Sequence, residues 1–134
     1  MTDYVGIIDQ SEGNWGVRFP DLPGCYGAGA NADAAIRDAA SAAREWILHR
    51  AGEGLAPPEP RAMNEILASG EIDVAAGEAA VLIGVIVDQG RTVRANLTFD
   101  AGLLGAIDAA ASERGLTRSA FLASAAREKI AARR

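Results

Sequence analysis

The feature that most constrains this chain is a strand pattern that cannot stand alone. Arg91-Thr-Val-Arg-Ala-Asn-Leu-Thr-Phe99 alternates strictly. Val93, Ala95, Leu97 and Phe99 fall on one face, and Thr92, Arg94, Asn96 and Thr98 on the other. Two short helical patterns follow, split at Gly115 and Leu116. A lone strand with one apolar face is not stable in water. Two copies paired antiparallel cover that face with a shared core, and the opposite faces then offer guanidinium, amide and hydroxyl groups to base edges in a major groove. A one-residue slip would expose the apolar set instead, so the assignment is all or nothing. Within residues 91–134, Leu97, Phe99, Leu103, Leu104, Ile107, Phe121, Leu122 and Ile130 are left only partly covered in one copy. The expectation is an obligate homodimer about a two-fold axis, or a tetramer built from such dimers.

Charge divides the chain at the same place. Residues 91–134 hold eight basic and four acidic residues, a net of +4, whereas residues 1–90 hold five basic and fourteen acidic, a net of −9. Affinity for nucleic acid rests on Lys and Arg displacing counterions from phosphates. A basic C-terminal module on an acidic body therefore suits DNA at one end, while the body either repels DNA or binds something basic. No apolar run reaches the roughly 18 residues that span a bilayer. The N-terminus carries neither a basic n-region nor a cleavage signal, and Cys25 is the only cysteine. The expectation is a cytoplasmic protein with no membrane partner.

The first ninety residues read as a small α+β body of order β-β-β-α-(α)-β. Tyr4-Val-Gly-Ile-Ile8 and Trp15-Gly-Val-Arg-Phe19 are two strands around the turn Ser11-Glu-Gly-Asn14, which makes a hairpin. Pro20 and Pro23 end the second strand, and residues 25–29 form a short third strand weakened by its glycines. A helix is predicted over 31–50, capped by Asn31, with Asp33 in its first turn and Ile36, Ala40, Ala43 and Ile47 on its inner face. Residues 52–60 form a loop, and residues 61–69 a short second helix with Met63, Ile66 and Leu67 inward. Residues 79–87 are the most apolar stretch, read as a strand buried on both faces.

Candidate chemistry is sparse. Cys25 reads as a small buried residue beside a turn, and His49 as a surface residue in a last helical turn. Asp3, Asp9, Asp21 and Asp33 are the carboxylates open to a metal-dependent nuclease, but no spacing brings three of them to one point. Gly24, Gly27 and Gly29 do not make the dinucleotide fingerprint. No catalytic residue, metal site or cofactor is expected.

The order strand-helix-helix, with the string Arg-Ala-Asn-Leu-Thr-Phe and the later Leu-Thr-Arg-Ser-Ala-Phe-Leu, resembles the ribbon-helix-helix modules of Arc- and MetJ-like repressors. Phe-Pro-Asp-Leu-Pro-Gly-Cys-Tyr-Gly-Ala-Gly, residues 19–29, followed by a helix, resembles the signature of HicB-type antitoxins. That resemblance covers nearly the whole chain. It implies a partial RNase-H-like domain over residues 1–88, binding a small basic HicA-type toxin that cleaves mRNA. It also implies a ribbon-helix-helix domain over residues 91–134 that dimerises and represses its own operon. On that reading the DNA contacts are Arg94, Asn96 and Thr98 to bases, with Thr117 capping the second helix and Arg118 and Ser119 offering N–H groups to a phosphate. The toxin contacts are Glu12, Trp15, Asp21 and Leu22, although Trp15, Phe19 and Leu22 can equally be core. A plain ribbon-helix-helix regulator, whose N-terminal domain senses a ligand or oligomerises, is the alternative.

Overall fold

A computed structural model describes residues 1–131, so Arg133 and Arg134, counted above in the basic C-terminus, lie outside the described residues. The chain divides into two compact units, Met1–Gln89 and Gly90–Arg134.

In the first unit a tight turn starts the sheet. β1 (Thr2–Ser11) and β2 (Asn14–Arg18) pair antiparallel with Ser11 opposite Asn14, leaving Glu12 and Gly13 as the loop. Both have positive φ, 52° and 84°, the combination of a type I′ turn whose twist matches that of the strands. β3 (Tyr26–Gly29) and β4 (Ala79–Val85) complete an antiparallel sheet of order β3-β2-β1-β4. This is a mixed fold in which the strand buried on both faces is β1, with Tyr4, Val5, Ile7 and Ile8 all 6% exposed or less. The stretch expected to be buried on both faces is instead the edge strand β4: Ile83 and Val85 are buried, whereas Leu82 is 59% exposed. An apolar run reports burial without reporting position in the sheet.

α1 (Ala32–Gly52) lies on the face carrying Tyr4, Ile8, Val17, Ile83 and Val85. Asn31 caps it, its side-chain oxygen accepting from the N–H of Ala34 at 2.8 Å. The buried stripe is Ala35, Ala39, Ala43 and Ile47, so Ile36 and Ala40 flank the seam rather than form it. Three alanines let the helix approach closely, and β3 answers with glycines. A Cβ on Gly27 would stand 2.4 Å from the backbone nitrogen of Ala39, and one on Gly29 2.6 Å from that of Ala35. The glycines expected to weaken this strand are therefore what admits the helix.

The other sheet face carries Val5, Ile7 and Arg18. The segment after α1 supplies α2 (Met63–Ser69), which packs on β4 and whose Ile66 is fully buried. Leu67, expected inward, is 58% exposed. A 3-10 turn, Val74–Ala76, leads into β4.

The second unit contains α3 (Ala101–Glu113) and α4 (Arg118–Ala131). Asp100 caps α3 through the N–H groups of Gly102 and Leu103, at 2.9 and 3.2 Å. Gly115, at φ 65°, reverses the chain. Residues 91–99 carry no strand ladder in this single chain, and every one of them is exposed. A strand needs a second strand for its hydrogen bonds, and one copy supplies none. Among the described residues of this unit only Ile107 and Ala111 are buried, while Val93, Leu97, Leu103 and Ile130 are exposed by 77%, 66%, 53% and 42%.

Candidate functional site

The residues expected to meet a protein partner divide sharply. Glu12 is exposed at the hairpin tip, and Trp15, partly buried, packs beside the core. Leu22 has no exposed surface, so it is core and not contact, as is Phe19 at 3%. Asp21 is engaged inside the unit: its carboxylate accepts from the backbone N–H of Arg61 at 2.8 Å and from Arg61 Nε at 2.7 Å. Its side chain is only 10% exposed.

That contact belongs to a chain of alternating charges. Arg61 also forks onto Glu71, at 2.9 and 3.2 Å. Arg18 donates to both oxygens of Glu78, at 2.6 and 3.0 Å, and to the backbone carbonyl of Glu71 at 3.1 Å. Glu78 in turn accepts from the N–H of Asp73. The network fastens the segment after α1 onto the β2 side of the sheet. The Arg18 hydrogen bonds hold the Glu78 carboxyl down at about 2, and those from Arg61 and Ser69 lower that of Glu71. Arg18, Arg61, Glu71 and Glu78 were not singled out from the sequence, because partners 40 and 60 positions apart leave no local trace.

Not every carboxylate is used this way. The side chains of Asp3, Glu12, Glu45 and Glu59 are exposed, and their carboxylates take part in no hydrogen bond or ion pair among the described residues. They leave the body with unspent negative charge facing solvent. Burial pushes the Cys25 thiol up to about 11, so it holds almost no thiolate at neutral pH and is chemically quiet. His49 is exposed, 3.5 Å from Glu53, which caps the end of the same helix. Asp3, Asp9, Asp21 and Asp33 are not gathered: among the described residues no group of three or more His, Cys, Asp or Glu can hold a metal ion. No helix among them is long and apolar enough to cross a membrane.

In the second unit Arg94, Asn96 and Thr98 are exposed, as are Thr117, Arg118 and Ser119. Thr117 accepts from the N–H of Ala120 at 3.1 Å, which makes it the cap of α4. Arg118 does not point freely into solvent. Its Nε and Nη2 fork onto Asp108 of α3 at 2.9 and 2.8 Å, leaving Nη1 outside the pair. This contact lowers the Asp108 carboxyl and raises the guanidinium. Asp108 is a further residue the sequence did not mark.

Comparisons with known proteins agree with one another. A family model described as "HicB_like antitoxin of bacterial toxin-antitoxin system" matches residues 4–126. The crystal structure of antitoxin HicB from Burkholderia pseudomallei is similar at 28% identity, with 97% of each chain covered and a TM-score of 0.54. The crystal structure of antitoxin HicB3 is also 28% identical, covering 96% of this chain and 98% of its own, with a TM-score of 0.58. A chain of a HicA3 and HicB3 toxin-antitoxin complex shares the fold at 20% identity and TM-score 0.55, over 63% of this chain and 99% of that one. No curated protein matches the chain.

Proposed function

This chain belongs to the HicB-like antitoxin family, and from that premise we propose that its two units do two jobs. The unit Met1–Gln89 binds and neutralises a small basic toxin of the HicA type, as the neighbour in a HicA3 and HicB3 complex suggests by analogy. The unit Gly90–Arg134, paired with that of a second copy, binds operator DNA and represses the operon from which the chain is made. The chain performs no catalysis of its own.

The observation that carries the reading is the coincidence of two boundaries. The change from −9 to +4 in the sequence falls at the junction between the compact units. Opposite potentials speed and orient encounter, so the acidic unit favours a basic protein and the basic unit favours phosphates. The exposed carboxylates Asp3, Glu12, Glu45 and Glu59 are available for steering. Glu12 and Trp15 are the contacts proposed for the toxin; Asp21 contributes through the network that shapes that side of the unit. In the second unit, exposed Val93, Leu97 and Phe99 supply the apolar face that a second copy covers as a two-stranded ribbon. Pairing leaves Arg94 to read a guanine, Asn96 an adenine, and Thr98 either a base or a thymine methyl. The N–H groups of Arg118 and Ser119, at the start of α4, are placed for a phosphate.

Co-expression with the small open reading frame adjacent to this gene tests the first job. Retention of that product on the tagged chain at low salt, with release as salt rises, supports it; no retention at any salt counts against it. A gel shift with the upstream promoter fragment tests the second.

A further inference from the structure

The sheet face turned away from α1 is covered at one end and open at the other. Register and alternation put Ile7, Arg18 and Tyr26 in one row of that face, and Asp9, Gly16 and Ala28 in the next row toward the hairpin turn. The segment after α1 reaches the first row, where Arg18 gives both Nη groups to Glu78 and to the carbonyl of Glu71. The second row is more open: Ala28 is exposed, and Asp9 and Gly16 are only partly buried.

That second row is a slot. Gly16 puts no side chain between Asp9 on β1 and Ala28 on β3, so the floor is backbone and one methyl. Asp9 Oδ1 leans over the floor, 3.3 Å from where a Cβ on Gly16 would stand. Tyr26, 67% exposed, is the diagonal neighbour of Gly16 across the β2–β3 pair, a separation of about 7–8 Å that an aromatic side chain spans. The Asp9 carboxylate takes part in no hydrogen bond or ion pair among the described residues, and Arg18, already engaged, attracts it only at a distance. A carboxylate partly withdrawn from water and left unpaired costs stability that a bound cation restores.

Chemistry selects the occupant. A carboxylate on one side, an aromatic ring on the other and a flat floor between them suit a planar guanidinium, which forks onto the carboxylate and stacks on the ring. An ammonium is a compact point charge and uses neither shape. Asp3 lies on the same face and Glu12 at its turn, and their carboxylates are unpaired among the described residues. DNA and a second acidic unit are therefore repelled, whereas a basic protein is drawn in. Resting on the toxin-binding reading of Met1–Gln89, we infer that Asp9, Gly16 and Tyr26 form a slot for one arginine side chain of that basic toxin.

The full chain is tested with two probes: the small product of the adjacent open reading frame, and nonapeptides made of arginine or of lysine. Asp9→Asn keeps the shape and removes the charge, and Gly16→Val fills the floor with a residue that suits a strand. Each should weaken capture of the product by about tenfold, the worth of a charge-assisted contact. The double variant should lose no more than the larger single loss, because both changes act on one slot. Tyr26→Ala should weaken capture by about threefold, and Tyr26→Phe should leave it unchanged. Asp3→Asn, on the same face, should change it by less than about twofold. No variant should lower the urea midpoint by more than about 0.5 M. Wild type should bind the arginine peptide about fivefold more tightly than the lysine peptide, and Gly16→Val should remove that preference. Equal losses from Asp3→Asn and Asp9→Asn overturn the slot, since bulk charge then explains the binding. So does a Gly16→Val chain that captures the product like wild type. A wild type that captures no product yet keeps the arginine preference retains the slot and sinks the toxin reading; with neither, both fall.

Discussion

Gly27→Ala should be among the most damaging single-methyl changes in the first unit. Its Cβ would stand 2.4, 2.5 and 2.6 Å from the N, Cα and Cβ of Ala39. Ordinary contact lies at about 3.5–4.0 Å, so α1 must retreat by about 1 Å. The obstructing atoms are helix backbone and a methyl on it, which have no rotamer in which to escape. Retreat opens the seam at Ala35, Ala39, Ala43 and Ile47 together. Overpacking costs about 1–3 kcal/mol, and a backbone obstacle places this change near about 3. Trp15 and Trp46 both lie in the first unit and pack against its core, so tryptophan fluorescence in urea reports that unit alone. With a slope of about 1.5 kcal/mol per molar urea, the midpoint should fall by about 2 M. Gly52→Ala is the control: nothing lies within 4 Å of its Cβ, and it ends the same helix. It should be neutral or stabilise by up to about 1 kcal/mol. A Gly27→Ala midpoint within about 0.5 M of wild type would refute the close-packing argument.

Glu78 titrates well below its usual value in the folded unit, so the stability it contributes is complete above the unfolded value near 4.5 and is lost as pH falls toward about 2. Urea midpoints measured from pH 5 to 2 should decline, and Glu78→Gln should flatten the decline; parallel profiles would discount the Arg18 contact. In gel shifts Arg94→Ala should cost about 1–3 kcal/mol and relax sequence choice. Asp108→Asn should strengthen binding to all DNA alike by releasing Arg118, and that gain should vanish in an Arg118→Ala background. Charge reversal at Glu12 and at Asp21 should behave differently: Glu12→Lys should weaken toxin capture with the urea midpoint unchanged, whereas Asp21→Lys should lower the midpoint, because it breaks the ion pair to Arg61. Equal effects on stability would remove that distinction.

Local chemistry was legible where it is local. The Glu12-Gly13 turn, the Asn31 cap and the end of α1 beside Gly52 each rest on residues within a few positions of one another, and the structure has them there. Strand order was not legible. Both Tyr4–Ile8 and the stretch after Ala79 read as apolar runs, and nothing in either says that the first is central and the second an edge. The glycines of β3 read as weakness because the helix they admit lies in a different layer. The Asp21–Arg61 and Arg18–Glu78 contacts are long-range pairings, so Asp21 looked free for a partner when it was already engaged. Residues 91–99 are the opposite case: the alternation is plain in the sequence, yet the single chain carries no strand there, because a strand needs a second one for its hydrogen bonds.

The most direct test of the account is toxin neutralisation with and without the first unit. Cells carrying an inducible HicA-type toxin from the same operon should recover growth when the full chain is co-expressed. They should not recover with a chain lacking residues 1–85, even though that shorter chain is still made. Recovery with the shorter chain would contradict the assignment of toxin binding to the acidic unit.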